Sequence, residues 1–446
     1  MNVIGIDLGT TTLSALAVDE DSGAVLERVT VAHGAALPRR HACDALQDPD
    51  AVASLACDVA EALARRHGAA AIGLDGQMHG MLYVDRAGRA VSPLYTWQDA
   101  RGDLPLGDAT YAAELSRRAG RRLSTGYGLV THFWHLQNNA VPEEAAKLCG
   151  LCDYVGMKLT GRTAPLTHAS TAASMGPLMS DRPAWDLGAL SRAGIGEALL
   201  PEVTDAFTLL GETPAAVPVA CGIGDNQASF IGAMADMEGG ALVNMGTGGQ
   251  VSALHRGNTI PEGLEARPLG EGRSILVGAS LCGGRAYALL EGFLRACARL
   301  GGGGDAPLYE AMNRLALEAL DDPDPLVVDT RFTGTRDDPG LRGGIANIGE
   351  RNLDPAHLAA GTLLGMAREL HDLYLRIDAP ARALVGSGNA LRKNPALRRA
   401  FERVFKAPLC LPAHDEEAAY GAALCALVAT GNRATLSDAQ RVIRYL

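Results

Sequence analysis

Two stretches of this chain share one pattern: an apolar strand, a turn of glycine and threonine, then a second strand. Residues 3–6 (VIGI) lead into Asp7-Leu8-Gly9-Thr10-Thr11-Thr12 and on to 13–18 (LSALAV). Residues 241–245 (ALVNM) lead into Gly246-Thr247-Gly248-Gly249 and on to 250–254 (QVSAL). A pattern met twice predicts two halves of like fold, facing each other across a cleft. At 446 residues the chain can supply a core to each half. The boundary is expected near 236–240, where Asp236-Met237-Glu238-Gly239-Gly240 interrupts the apolar pattern, dividing the chain into 1–236 and 237–446.

The surroundings of each turn fill in the halves. After Asp21-Ser22-Gly23, residues 24–31 read as a third strand, making an antiparallel meander. A helix is expected over 49–67, with Pro49 at its start and Val52, Leu55, Val59 and Leu63 at helical spacing. Residues 70–74 form another buried strand, and helices follow at 226–235 and 395–405. The run Gly301–Gly304 follows a helical stretch rather than a strand, so it reads as a loop between helices and not as a phosphate cradle.

The turns carry chemistry. Successive amides and hydroxyls at Thr10 and Thr11 can take phosphate oxygens, and so can Gly246, Thr247 and Gly248. Asp7 ends its strand beside the first turn, where a carboxylate can serve Mg²⁺, a cation of oxygen ligands. In Gly224-Asp225-Asn226 an acidic residue stands at a helix start. It can accept the proton of an attacking hydroxyl, and it reads equally well as a helix cap. Gln77-Met78-His79 follows the strand 70–74, with Trp97-Gln98-Asp99-Ala100-Arg101 after it. Together they offer donors, acceptors and one apolar ring, as a polyhydroxylated ligand requires. Gly386-Ser387-Gly388, with Asn394 further on, lies at a strand-to-helix turn where a flat adenine can approach the backbone.

Composition narrows the partners. With 51 acidic and 40 basic residues the formal charge is −11, which disfavours nucleic acid and anionic membranes. A bound nucleotide must then be held by local amides and a metal ion. The nine cysteines are scattered, and Cys149 and Cys152 form the one C-x-x-C without a second ligand pair. That pair reads as structural in a reducing compartment. The start MNVIGIDLGT lacks the basic and apolar regions of a signal peptide, and no apolar run approaches ~20 residues. A cytoplasmic location is expected.

Taken in order, these motifs resemble the FGGY carbohydrate kinases of the actin-like ATPase superfamily, nearly end to end from Asp7 to Leu427. The resemblance implies an α/β chain of two actin-like (ribonuclease H-like) ATPase domains about a catalytic cleft. By it, Asp225 falls at the catalytic base and Asn226 at a sugar contact. Met78 and His79 match the sugar-contacting pair of the xylulokinase-like branch, with Gln77, Trp97 and Asp99 beside them. Gly386, Gly388 and Asn394 fall in the adenosine segment, and Glu416–Ala423 matches the closing motif. Trp97-Gln98-Asp99, Tyr127-Gly128 with Phe133-Trp134, and Gly278–Leu281 look most like the branch acting on the seven-carbon ketose sedoheptulose. A xylulokinase usually has Asn where this chain has Gln98.

The implied reaction is Mg·ATP-dependent phosphorylation of a ketose at a primary hydroxyl: sedoheptulose first, a five-carbon ketose such as xylulose or ribulose as the alternative. The expected partners are the ketose and ATP, with no nucleic acid and no membrane, in a monomer or homodimer. Within the same superfamily a repressor would need a DNA-binding segment before Asp7, and a chaperone a peptide-binding domain after Gly421; neither is evident. A non-catalytic sensor is disfavoured because Asp7, Thr10, Thr247 and Asp225 are all present.

Overall fold

The computed structural model describes residues 1–446 except 181, 258, 336–337 and 378–381. It separates into two compact units. The first comprises 1–235, 267–273 and 414–443, and the second 236–266, 274–413 and 444–446.

In the first unit a mixed sheet runs in the order Leu209–Glu212, Pro218–Ala220, Ala69–Gly76, Asn2–Leu8, Thr12–Asp19, Val25–Ala32. The expected meander is present: its first two strands reach a residue or two beyond the apolar runs that announce them, and the third is shifted by one residue, to Val25–Ala32. Asn2–Leu8 pairs antiparallel with Thr12–Asp19 and parallel with Ala69–Gly76. A parallel neighbour needs a crossover, and the helix Pro49–His67 supplies it. Asp48 caps that helix by accepting from the Asp50 and Ala51 amides, Pro49 fits the first position, and Gly68 closes it at φ 59°. Its buried stripe of Val52, Ala56, Ala60 and Leu63 packs with Ile4, Ile6, Leu13 and Ile72 in one apolar cluster.

The other side of these strands is built from small residues. The helix Glu417–Ala429 buries Ala419, Gly421, Ala422 and Ala423. A Cβ on Gly5 would stand 1.8 Å from the Ala419 carbonyl oxygen, and one on Gly73 1.9 Å from that of Ala422. The helix Asp225–Ala233 meets it as closely, for Cβ atoms on Gly232 and Gly421 would lie 2.0 Å from the carbonyl oxygens of Glu417 and Ala228. Glycine is required here because backbone rests on backbone. A further cluster, which includes Tyr83, Leu115, Leu129, Phe133 and Met175, supports the helices Tyr111–Ala119, Gly128–Gln137 and Ala169–Met175.

The second unit repeats the strand pattern. Gly240–Met245 pairs antiparallel with Gly249–Leu254 and parallel with Ala383–Ser387, which pairs in turn with Leu409–Cys410. The repeat seen in sequence is therefore one of topology: strand, Gly-Thr turn, antiparallel return, then a parallel neighbour. The helix Pro355–Tyr374 buries Ala359, Leu363, Leu364, Ala367 and Leu370 in the cluster containing Val243, Val251 and Leu384. The helix Pro395–Phe405 matches its expected span, and Gly301–Gly304 follows the helix Gly283–Leu300 and precedes Tyr309–Ala319.

Gly73→Ala should lose ~3 kcal/mol or more of stability, the upper end of overpacking, because the obstacle is backbone rather than a movable side chain. Gly196→Ala, whose Cβ meets nothing within 4 Å, is the control. Thermal melts of the two variants check this: indistinguishable melting temperatures would rule out so close a helix.

Candidate active site

The first Gly-Thr turn is fixed by its neighbours. Leu8, at the end of its strand, accepts a hydrogen bond from the Gln77 amide at 3.0 Å. This joins the Gly9–Thr11 turn to the polar turn after the next strand. The Thr10 carbonyl accepts from Gln47 Nε2 at 2.6 Å. Its hydroxyl oxygen accepts from Trp97 Nε1 at 3.0 Å. Indole nitrogen only donates, so the Thr10 hydroxyl proton stays free to be given to a ligand oxygen. Thr11 is exposed. Trp97 is 45% exposed, so with its N–H engaged it presents its ring to solvent.

The polar turn lies beside the Asp225 helix. A Cβ on Gly224 would meet Met78 Sδ at 2.8 Å, so Met78 packs directly against the residue preceding Asp225. His79 takes a left-handed conformation, φ 74°. Ser174 holds it from two sides, its hydroxyl accepting from the His79 amide at 2.9 Å and its carbonyl lying 2.8 Å from Nδ1. The ring stacks on Tyr127 at 4.6 Å. A strained residue held by several partners is common where a ligand is bound. Gln77 is buried, and its Oε1 has no hydrogen-bond partner among the described residues. Gln77, Met78, His79, Asp225 and Asn226 are thus brought together, with Thr10 and Trp97 next to them.

Asp99 is placed differently. It is fully buried, and both oxygens take the Arg101 guanidinium, at 2.5 Å to Nε and 3.0 Å to Nη2, while Oδ2 also accepts from the Ala45 amide. Its oxygens are spent inside the protein, and it anchors the loop that carries Trp97. Arg101 is sandwiched in turn by the rings of Tyr95 and Trp134.

Three carboxylates converge. Asp7 and Asp75 stand in register on neighbouring parallel strands. No N–H or hydroxyl of the described residues donates to Asp7 Oδ1 or to either Asp75 oxygen. Burial, then the charges of Asp7 and Asp225, push Asp75 well above the usual carboxylate range. Burial and the Asp225 charge raise Asp7 to about 7, against a hydrogen bond with Asp75 that lowers it. Two acceptor-only groups can share such a bond only through a proton. Asp225 is the first residue of its helix and accepts from the Asn226 amide at 2.7 Å. Dense surroundings raise its carboxyl to about 6, with the Asn226 amide and Arg267 opposing. Among the described residues, no three His, Cys, Asp or Glu side chains are grouped to hold a metal.

In the second unit the Gly246–Gly248 turn is bound to a helix start. The carbonyls of Gly246 and Thr247 accept from the Gly284 and Arg285 amides at the head of Gly283–Leu300. A Cβ on Gly283 would strike Gly248 at 2.4 Å. Gly388, at φ 89°, lies against the end of the neighbouring strand, for a Cβ there would be 2.6 Å from the Met245 carbonyl oxygen. Gly246, Thr247, Gly248 and Gly388 therefore share one end of this sheet. Gly386 and Asn394 do not stand open beside them. Gly386 is packed among Leu391, Leu409 and Leu411. Asn394 caps the helix Pro395–Phe405 through the Leu397 amide, and its Nδ2 donates to Asn313.

Five residues of these surroundings escaped the sequence reading. Asp75 was signalled by an acidic residue ending an apolar strand, as at Asp7. Gly283-Gly284 was signalled by a glycine pair opening a helix. Gln47 and Ser174 carried no local signal. Cys149 and Cys152 are both buried and unbridged, and burial pushes both thiols up, in keeping with the structural reading.

The model of the N-terminal domain of the FGGY family of carbohydrate kinases matches residues 2–242, and that of the C-terminal domain residues 241–430. A sedoheptulokinase of Mus musculus is 28% identical over 476 residues, covering 95% of this chain and 97% of its own. A xylulose kinase of Streptomyces rubiginosus is 29% identical over 268 residues, 56% of this chain and 54% of its own. The crystal structure of xylulose kinase from Rhodospirillum rubrum superposes with a TM-score of 0.84 at 21% identity, covering 100% of this chain and 93% of that one. At that identity the likeness concerns the fold. Among the described residues no helix is long and apolar enough to cross a membrane.

The carboxylate cluster has a consequence for stability. With Asp7 at about 7 and its unfolded value at 3.8, the folded chain binds more protons than the unfolded one across that interval. Stability from these groups is therefore lost as pH rises from about 4 to about 7, by up to ~1.4 kcal/mol per pH unit for each proton. Asp75→Asn removes one of the charges and should reduce the loss. Urea unfolding at about pH 5 and about pH 8, in chelator, checks it: the variant gains on wild type at the higher pH, and an equal difference at both would contradict the cluster.

Proposed function

The chain belongs to the FGGY family of carbohydrate kinases, and we propose that it phosphorylates a primary hydroxyl of a ketose, chiefly sedoheptulose, giving sedoheptulose 7-phosphate. It is a sugar kinase, with ATP as phosphoryl donor. The observation that carries the ketose reading is the packing of Met78 on Gly224, which sets Gln77-Met78-His79 beside Asp225-Asn226. A sugar bound by the first group has its hydroxyl within reach of the second. The seven-carbon preference rests on likeness to sedoheptulokinase along almost the whole chain, at the identity given above.

In this reading Asp225 is the general base. Phosphoryl transfer asks the protein mainly for positioning and charge stabilisation. As the sugar oxygen bonds to the γ-phosphorus, its proton passes to Asp225, and the bond from phosphorus to the bridging oxygen breaks to leave ADP. A carboxyl near 6 is ionised at neutral pH yet basic enough to take that proton. Gln77, Met78, His79, Trp97 and Asn226 bind the sugar, with Asp99 acting through the Trp97 loop. Thr10, Thr11, Gly246, Thr247 and Gly248 hold phosphate oxygens, and Gly388 lets adenosine approach. Gly386 and Asn394 shape that segment from behind. Mg²⁺ fits Asp7, which offers a buried oxygen without a protein partner. Such an ion takes one or two carboxylates and completes its shell with phosphates and water. When bound it would offset the charge of the phosphate oxygens.

A five-carbon ketose is the second reading, favoured by the likeness of about half the chain to a xylulose kinase. Assaying sedoheptulose, D-xylulose, D-ribulose and glycerol at equal ATP separates the two. The kcat/KM for sedoheptulose should exceed the others, because a site that hydrogen-bonds a hydroxyl discriminates strongly against ligands lacking it. A D-xylulose value equal or greater overturns the seven-carbon preference, and best activity on glycerol overturns the ketose.

Asp225→Asn should cost ~10²–10⁴-fold in kcat. Because the base must be ionised, wild-type kcat/KM should rise with pH through about 6. A variant keeping more than about a tenth of wild-type kcat would remove Asp225 from the role.

A further inference from the structure

Gln47 belongs to neither turn, yet it touches both. It is buried in the short strand Leu46–Gln47, which pairs with Leu94–Tyr95. Its Nε2 donates to the Thr10 carbonyl at 2.6 Å, and Gln77 Nε2 lies 3.0 Å from its Oε1. Chemistry fixes the direction of these bonds. A carbonyl only accepts, so Gln47 must turn its NH₂ to Thr10 and its oxygen to Gln77. Gln77 must then donate with its own NH₂. What is left is Gln77 Oε1, buried and without a partner among the described residues. A buried acceptor without a donor is costly, so this atom is poised for a hydroxyl supplied from outside.

We propose that Gln47 is a positioning residue that relays sugar occupancy to the first phosphate turn. This rests on the kinase reading above, in which Gln77 meets the sugar and Thr10 the nucleotide. A sugar hydroxyl donates to Gln77 Oε1, which polarises the Gln77 amide. Gln77 then donates more strongly to Gln47, and Gln47 to the Thr10 carbonyl. The chain of bonds runs one way, from ligand to turn. Thr10 is thereby held by its carbonyl through Gln47 and by its hydroxyl through Trp97, each from the sugar side.

The anchoring of Gln47 agrees with such a duty. The carbonyl of Ala45, two residues before it, accepts from both the amide and the hydroxyl of Thr96, and its amide donates to Asp99. Asp99 is locked to Arg101, which also reaches Asp44. Gln47 is thus held by the same buried ion-pair cluster that holds the Trp97 loop, and its amide has little freedom to turn away from either partner.

The relay predicts a coupling between ligands. Binding of a non-hydrolysable ATP analogue, measured by calorimetry with and without saturating sedoheptulose, should be tightened by the sugar by at least ~5-fold in the wild-type protein. Gln47→Leu removes both bonds and should bring that factor to about 1 while each ligand's separate Kd stays within about twofold. Gln47→Glu keeps the acceptor for Gln77 but cannot donate to Thr10, and should lose the coupling as well. A merely structural residue would shift melting temperature and both separate affinities and leave the ratio alone. An undiminished coupling in Gln47→Glu or Gln47→Leu overturns the relay while leaving the kinase reading intact. The relay is equally overturned by a wild-type factor of 1. Failure of the wild-type protein to bind sedoheptulose or D-xylulose at all overturns the ketose reading, and the relay with it.

Discussion

The parallel pairing of Asn2–Leu8 with Ala69–Gly76 is the constraint from which the first unit's site follows. Parallel strands end together, so the turns that leave them emerge side by side. Here one exit is the Gly9–Thr11 turn and the other is Gln77-Met78-His79, tied by the Gln77 amide to Leu8. Open sheets of this kind place ligands at the carboxyl ends of their strands, where side chains from successive turns converge. The register also has a cost, because it sets Asp7 opposite Asp75 in a buried position. A shift of one residue would separate the carboxylates but would turn every strand side chain to the wrong face.

That pairing relies on backbone contact behind the sheet. Gly5 and Gly73 occupy the same strands, and both give way to the carbonyls of the helix Glu417–Ala429. The same helix meets Asp225–Ala233 through Gly232 and Gly421. The element carrying the proposed base and the strands carrying both turns are therefore referred to one rigid helix of small residues. Interiors packed this closely transmit small displacements rather than absorbing them. This explains why a segment far along the chain belongs to the first unit.

Much of this was legible in the sequence, and the reasons are specific. The helix Pro49–His67 could be bounded to the residue because Asp48, Pro49 and Gly68 are its chemical limits, and Pro395–Phe405 because Asn394-Pro395 opens it. The two Gly-Thr turns stood out because one pattern, strand, turn and strand, occurs twice in the chain. Register was not legible, and so Asp75 was passed over although it ends a strand just as Asp7 does. For Gly386 and Asn394 the sequence did not announce what the structure shows, a packed glycine and a helix cap. A glycine that admits a ligand and one that admits a leucine look alike in sequence, as do an asparagine that binds and one that caps. For Asp99 the cue was present, since its ion-pair partner Arg101 stands two residues on. Gln47 gave no cue, because its meaning lies in two residues 37 and 30 positions away.

The charge of the chain bears on how such a site works. A protein at −11 cannot draw in a polyphosphate by its overall field. Attraction has to come from short-range groups, and the two Gly-Thr turns proposed above as phosphate sites carry no side-chain charge: the Thr10 hydroxyl oxygen accepts from Trp97 and keeps its proton, and in the second unit the exposed Gly246–Thr247 turn is braced through its carbonyls by the amides of Gly284 and Arg285. On the proposed reading the carboxylates of the first unit would repel a nucleotide unless a cation stood among them. Burial answers part of this by favouring the protonated forms of Asp75 and Asp7. A bound cation would favour their ionised forms, since an opposite charge lowers a carboxyl that burial has raised. On the proposed reading, the burial that makes this carboxylate cluster costly at neutral pH would favour a metal-bound polyphosphate over a free anion, which would meet the carboxylates unshielded.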